Sequence, residues 1–302
     1  MNIHILEMPL DFGASRHGSD MGPSAIRLAG LKERLEGLGH KTVRYFSPIQ
    51  INPQEYEAVG NPKAKYLSPI LKANEQLAAE VERAAGAGDF PLILGGDHSI
   101  ALGSLAGLSA SYKKQGKTFG VLYVDAHGDF NTDETSPTGN IHGECMAASC
   151  GYGLSALVNL YESGRKVDPK NVCYVGLRDV DADERELMKK AGVTAFTMTD
   201  IDRLGFNEVV RRVLAFFREK VEIVHVSFDM DCLDPMFAPG TGYQLNAGMT
   251  TREALLLMEE MSESGFVRSA EIVEVNPVLD VRNQTASLAV DLVSRLLGEK
   301  LF

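Results

Sequence analysis

The chain has 302 residues, 30 Lys and Arg against 41 Asp and Glu for a net charge of −11, and 44% hydrophobic residues. That composition is ordinary for a folded globular protein and excludes disorder, collagen and coiled coil. The acidic balance, with a pI near 5.2 and no run of Lys or Arg, argues against a nucleic-acid partner, which needs clustered cations to displace counterions.

The opening Met1-Asn2-Ile3-His4 lacks a basic region leading into an apolar one. No stretch approaches the roughly 18 uninterrupted apolar residues of a membrane span. A cytoplasmic protein without a membrane partner is expected. Cys145, Cys150, Cys173 and Cys232 show no C-x-x-C spacing, and a chain of this length can bury a core without disulfides, so reduced thiols are expected.

Short apolar or β-branched runs alternate with helical stretches along the chain. Strands are predicted at Ile3–Met8, Pro91–Leu94, Phe119–Val124, Val172–Val175, Val193–Phe196, Ile223–Phe228 and Ala270–Val275. Helices are predicted around 23–37, 67–86, 100–114, 206–219, 251–264 and 283–297. This alternation implies crossover connections and a mostly parallel sheet covered on both faces, a three-layer α/β/α sandwich. No repeat or Pro/Gly/Ser linker divides it, so residues 1–302 read as a single domain. The longest predicted loop, Gly128–Gly143, follows a buried strand and opens with charged residues, a place where function is expected.

The chemistry gathers where predicted strands end, as in open α/β sheets whose ligands bind beyond the carboxyl ends of the strands. Leu94-Gly95-Gly96-Asp97-His98-Ser99 supplies one histidine. Val124-Asp125-Ala126-His127-Gly128-Asp129 supplies two aspartates and a histidine at alternate positions, and Phe228-Asp229-Met230-Asp231 two more aspartates. In extended chain, residues two apart share a side, so each set is expected to converge. Two imidazoles and four carboxylates form a hard, mostly oxygen donor set suited to Mn²⁺ or a similar ion. Four close carboxylates repel one another unless cations lie between them, and two divalent ions supply that charge. Asp97 and Asp234 read as supporting or turn residues. Cys232 reads as small core filler, and Met258–Met261 as a core-facing helix stretch. Gly95-Gly96 lacks the spaced third glycine of a dinucleotide fingerprint, so no nucleotide cofactor is expected.

Over nearly its whole length the sequence resembles the ureohydrolase (arginase/agmatinase) family, and within it the bacterial-type arginases. The resemblance is carried by Met8–Gly13, Gly18–Arg27, Gly95–Ser99, Asp125–Asn131, Ser227–Asp234 and Glu274-Val275-Asn276-Pro277. It implies an eight-stranded parallel sheet, assembly as a trimer or hexamer, and two Mn²⁺ per chain. The implied ligands are His98, Asp125, Asp129 and Asp229 on one ion or bridging, with His127 and Asp231 completing the set. It also implies hydrolysis of L-arginine to L-ornithine and urea. A guanidinium is resonance-stabilised, and two metal ions make hydroxide available beside its carbon by lowering the pKa of a water between them.

The resemblance assigns Asp129 to orient that hydroxide and move its proton, and His142 to protonate the departing amine. Glu274 is implied as the carboxylate that receives the guanidinium. Asn131 and Thr138 are implied to hold the α-carboxylate. Asp181, with Glu184 nearby, is implied to receive the α-ammonium, and His127 borders the substrate. Thr138 stands where a serine is most usual. Two segments depart further. After Gly242 the family continues with Thr-Pro and a glycine pair, whereas this chain has Tyr243-Gln244-Leu245-Asn246-Ala247-Gly248, which is expected to narrow the pocket or reach the substrate. Glu144-Cys145 stands where an uncharged residue and proline are usual. Two further readings stay open: another amidinohydrolase, such as an agmatinase or guanidino-acid hydrolase, and a catalytically silent binding subunit with the same fold.

Overall fold

The computed structural model describes residues 1–300 apart from 48, 51, 53, 54 and 57. Among the described residues ten strands run in chain order: β1 (Asn2–Met8), β2 (Lys41–Phe46), β3 (Gly60–Asn61), β4 (Ala64–Lys65), β5 (Phe90–Gly95), β6 (Phe119–Val124), β7 (Val172–Leu177), β8 (Thr194–Thr197), β9 (Ile223–Asp229) and β10 (Val267–Val273). Eight of them form one sheet in the order β2-β1-β5-β10-β9-β6-β7-β8, and every pairing in it is parallel. β3 and β4 make a small antiparallel pair.

The helices are α1 (Gly22–Leu28), α2 (Leu31–Gly37), α3 (Leu67–Gly86), α4 (Ala101–Gln115), α5 (Cys145–Ser149), α6 (Ser155–Val158), α7 (Ala182–Ala191), α8 (Met198–Leu204), α9 (Phe206–Lys220), α10 (Thr251–Ser264) and α11 (Gln284–Leu296). They cover both faces. On one, Leu31, Val213, Leu257 and Leu292 join strand residues such as Val226 in a core. On the other, Leu77, Leu105 and Ala148 pack over Ile93 and Tyr123. Strands buried on both faces read as unbroken apolar runs, which is why Phe119–Val124 is bounded correctly from sequence alone. α3 and α4 approach closely because α4 presents Gly103 and Gly107 to α3, where a Cβ would lie 2.6 Å from the Asn74 carbonyl oxygen and 2.3 Å from that of Ala78.

The three-layer α/β/α sandwich is as expected, and differences in detail have local causes. The predicted 23–37 helix is two helices, because Gly30 adopts φ 87° between them and breaks the hydrogen-bond ladder. β2 is an edge strand whose interleaved Lys41 and Arg44 hide it among the apolar runs. The last strand stops at Val273, and Glu274 turns away at φ 64°.

The four central neighbours β5, β10, β9 and β6 all point their C-terminal ends the same way. His98 follows β5, Glu274 follows β10, Asp229 ends β9 and Asp125 follows β6. Thus residues up to 176 positions apart meet along one edge of the sheet. Among the described residues, no helix is long and apolar enough to cross a membrane, and the four cysteines are buried and unpaired.

Candidate metal centre and active site

At three of these strand ends an aspartate takes the amide of the residue two positions on. Asp97 Oδ1 accepts from Ser99 N at 2.8 Å, Asp125 Oδ1 from His127 N at 2.7 Å and Asp229 Oδ1 from Asp231 N at 2.7 Å. Each is a tight side-chain turn that folds the following residue back over the strand end. Convergence therefore arises from turns, not from the extended-strand alternation expected from spacing: residues 126 and 127 form a bend, Met230–Cys232 is a 3₁₀ turn, and Asp129 has φ 47°. A positive φ in a non-glycine residue stores strain, and both Asp129 and Glu274 carry it at this edge.

Gly96 permits the close packing beneath. A Cβ there would lie 1.8 Å from the Leu10 carbonyl oxygen, so any side chain would push the His98 turn away from the segment that follows β1.

His98 is fully buried with its Nδ1 3.1 Å from Asp125 Oδ2, 3.1 Å from Asp229 Oδ2 and 3.3 Å from Asp129 Oδ2. Its other nitrogen, Nε2, lies 2.8 Å from Ser227 Oγ, which donates to Glu271 Oε1 at 2.7 Å. Ser104 Oγ donates to the second Glu271 oxygen at 2.6 Å. This chain gives Nε2 the proton and leaves Nδ1 as a lone-pair donor toward the carboxylates, the tautomer a metal ligand needs. Tyr123 stacks on the imidazole, with centroids 4.5 Å apart, and donates its hydroxyl to Asp129 Oδ2 at 2.7 Å.

A second group lies alongside: His127 Nδ1 is 3.2 Å from Asp231 Oδ2 and 3.4 Å from Asp125 Oδ1. Asp125 thus belongs to two ligand sets, His98–Asp125–Asp229 and Asp125–His127–Asp231. Asp129 sits beside the first set without belonging to it. Burial, with repulsion from Asp231 and Asp125, pushes the Asp229 carboxyl well above its usual range, and burial raises Asp231. Asp231 Oδ1 is buried with no hydrogen-bond partner among the described residues. Oxygen and imidazole donors so crowded, with a buried oxygen left over, fit two hard divalent cations that share one carboxylate.

Arg178 braces this centre from below, donating to the carbonyls of Asp231 at 2.7 Å, Cys232 at 3.0 Å and Leu245 at 2.8 Å. Asp234 accepts from Met236 N and Gly248 N and closes a turn.

The centre forms the floor of a cavity of about 750 Å³. On one wall, Glu274 Oε1 accepts the His98 amide at 2.9 Å and lies 3.1 Å from His142 Nδ1. Burial opposes charge on His142, but the bond and charge of Glu274 outweigh it and raise its pKa to about 9.

Another wall is the 130–140 part of the predicted 128–143 loop, held by its own bonds. Asn131 Nδ2 donates to Asp181 Oδ2 at 3.0 Å, and Thr135 Oγ1 donates to Asn131 Oδ1 at 2.9 Å. Thr138 Oγ1 accepts from Asn140 N at 3.2 Å. Glu184, three residues into the turn that begins α7, accepts from Asp181 N at 3.0 Å and Phe130 N at 2.8 Å. Both Glu184 oxygens are thus engaged with backbone, and the residue ties α7 to the loop. Burial raises its pKa to about 7. Asn131, Thr138, Asp181 and Glu184 all line the cavity. Tyr243 lines it too, half-exposed, its ring perpendicular to His127 with centroids 5.4 Å apart. Glu144 is buried beside this loop, and neither carboxyl oxygen has a hydrogen-bond partner among the described residues.

Comparison with known proteins agrees with this geometry. A family profile described as the arginase family matches residues 1–298. The chain belongs to the arginase family. It is 45% identical over 300 residues to the arginase of Bacillus caldovelox, covering 99% of each chain, and 46% identical over 299 residues to that of Bacillus subtilis, covering 99% of this chain and 98% of the relative. The crystal structure of arginase from Bacillus cereus superposes with a TM-score of 0.94 at 44% identity, with both chains wholly covered.

Beyond the residues read from sequence, the site of this family member draws on Tyr123, Arg178, Ser227 and Glu271. Tyr123, Ser227 and Glu271 lie inside apolar strand runs, where a polar residue facing a neighbour across the sheet has no local signal. Arg178 stands in the segment between β7 and α7, and only the fold shows that it reaches carbonyls more than fifty residues away.

Proposed function

We propose that the protein is an arginase in activity, a single-domain hydrolase that cleaves L-arginine to L-ornithine and urea with two Mn²⁺ per chain. One observation carries the reading: two ligand sets sharing Asp125 lie on the floor of a cavity whose walls hold both a carboxylate for a guanidinium and polar groups for an amino acid. Membership of the arginase family supports it.

His98, Asp125 and Asp229 would hold one cation, and Asp125, His127 and Asp231 the other, with Asp129 beside the first. When bound, the pair neutralises the clustered carboxylates and acidifies water for attack on the guanidinium carbon. The chain supplies the rest. Glu274 Oε1 is taken by His98 N and His142, which leaves Oε2 to accept guanidinium N–H bonds. Tyr123 fixes Asp129 through Oδ2, leaving Oδ1 to orient the nucleophile and receive its proton. His142, kept cationic by Glu274, donates through Nε2 to the departing nitrogen so that it leaves as a neutral amine. At the other end Asp181 accepts the α-ammonium, while Asn131 and Thr138 donate to the α-carboxylate. Glu184 keeps Asp181 and the loop in register.

Mass-spectrometric analysis of products from Mn²⁺-loaded protein tests this reading. L-ornithine and urea in equal amounts are expected from L-arginine, and turnover of other guanidino compounds alone contradicts it.

A further inference from the structure

The substrate cavity carries an electrostatic problem. Apart from Asp129, Asp229 and Asp231 at the metal centre, four carboxylates line it, Asp179, Asp181, Glu184 and Glu274, against a single Arg and no Lys among its lining residues. Such a pocket draws in a guanidinium and an ammonium, but repels the α-carboxylate of an amino acid. Away from the metal floor, Asp179, Asp181 and Glu184 by charge favour a decarboxylated substrate over L-arginine.

That Arg is Arg16; Lys65, outside the lining, meets the cavity only through Asn140 Oδ1, 3.3 Å from its Nζ. The Arg16 side chain is exposed, and Nη1 donates to the Gly242 carbonyl at 3.2 Å. No carboxylate among the described residues lies within ion-pair distance of it, so the guanidinium keeps most of its five N–H donors for a ligand. Its placement is set from both sides. Ser15, the preceding residue, exchanges hydrogen bonds with Asn140 at 2.8 and 3.1 Å, and Asn140 N donates to Thr138 Oγ1. Gly242 adjoins Glu274, since a Cβ there would lie 3.6 Å from Oε2. Arg16 therefore lies between the Thr138 wall and the Glu274 wall.

We propose that Arg16 is a specificity residue that receives the α-carboxylate of the amino-acid substrate, so that an acidic pocket accepts L-arginine rather than its decarboxylated analogue. The assignment rests on the reaction proposed above. A guanidinium suits the role because its planar fork pairs with both oxygens of a carboxylate and remains charged at every working pH.

Arg16→Gln keeps an amide donor for Gly242 but removes the charge, and Arg16→Lys keeps charge without the fork. Both should be compared with the parent, all loaded with Mn²⁺, using L-arginine and agmatine as substrates and L-ornithine and putrescine as inhibitors. Arg16→Gln should raise the KM for L-arginine and the Ki for L-ornithine about tenfold, with kcat within about twofold, while agmatine and putrescine keep their parental values. Arg16→Lys should recover part of the loss. Equal losses for compounds with and without the carboxylate would overturn the proposal and leave Arg16 as a tie to Gly242; no change for any compound would also overturn it. A parent that releases no urea from L-arginine overturns the proposed reaction instead, and the ornithine comparison still tests Arg16.

Discussion

His142 Nδ1 and Glu274 Oε1 lie 3.1 Å apart, and the same Glu274 oxygen holds the backbone amide of His98. One carboxylate at the cavity wall thus couples the His142 imidazole to the His98 turn.

His142→Asn should therefore separate chemistry from metal binding. A fall in kcat of about 10²-fold or more is expected, with Mn²⁺ content by elemental analysis unchanged. In the parent the rate should fall above about pH 9 as the imidazolium loses its proton. Loss of metal together with activity would place His142 among the ligands.

Glu274→Gln keeps the shape but removes the charge that sustains the imidazolium. Without it the histidine pKa falls, so the alkaline limb of the rate profile should move to lower pH. KM for the guanidino substrate should rise at least tenfold, since charge-assisted bonds to the guanidinium are lost. Parental KM and an unmoved alkaline limb would remove Glu274 from the site.

His98→Ala and Asp231→Ala each strip one ligand set. Mn²⁺ should bind at least tenfold more weakly by calorimetry, and the rise in melting temperature that Mn²⁺ gives the parent should shrink, because a ligand stabilises only the fold that binds it. Undiminished stoichiometry in both variants would contradict the shared-carboxylate arrangement.

Glu144 gives a prediction about stability. Burial, with the nearby charge of Asp133, raises its pKa from 4.5 to about 8. The folded state holds a proton there that the unfolded chain releases, so this group's contribution is intact below about pH 4.5 and is lost as pH rises through 8. Glu144→Gln should melt roughly 5 °C or more above the parent at pH 8.5 and near it at pH 4. An equal difference at both pH values would rule out titration as the cause.

The layered fold was legible because buried parallel strands repeat a strong signal, and β6 and α3 fall on their expected bounds. β2 and α7 were not predicted as elements: the first is an edge strand with charged residues, and the second has ten residues of which only Glu184, Met188 and Ala191 are buried. The clustered histidines and aspartates were legible because two residues apart is a spacing that a turn, as well as a strand, can bring to one side. What the spacing did not reveal was the turn itself, which depends on each aspartate capturing an amide two residues ahead. The Ser227–Glu271 support of His98 crosses strands, and the placement of Arg16 depends on a bond to Gly242, 226 residues away.

The most direct test of the account is the ratio of kcat/KM values for L-arginine, agmatine and 4-guanidinobutyrate, measured as urea release by the Mn²⁺-loaded protein. A site with Asp181 for the ammonium and Asn131, Thr138 and Arg16 for the carboxylate predicts L-arginine favoured over both by at least 10²-fold. A preference for either compound lacking one of those groups would contradict it.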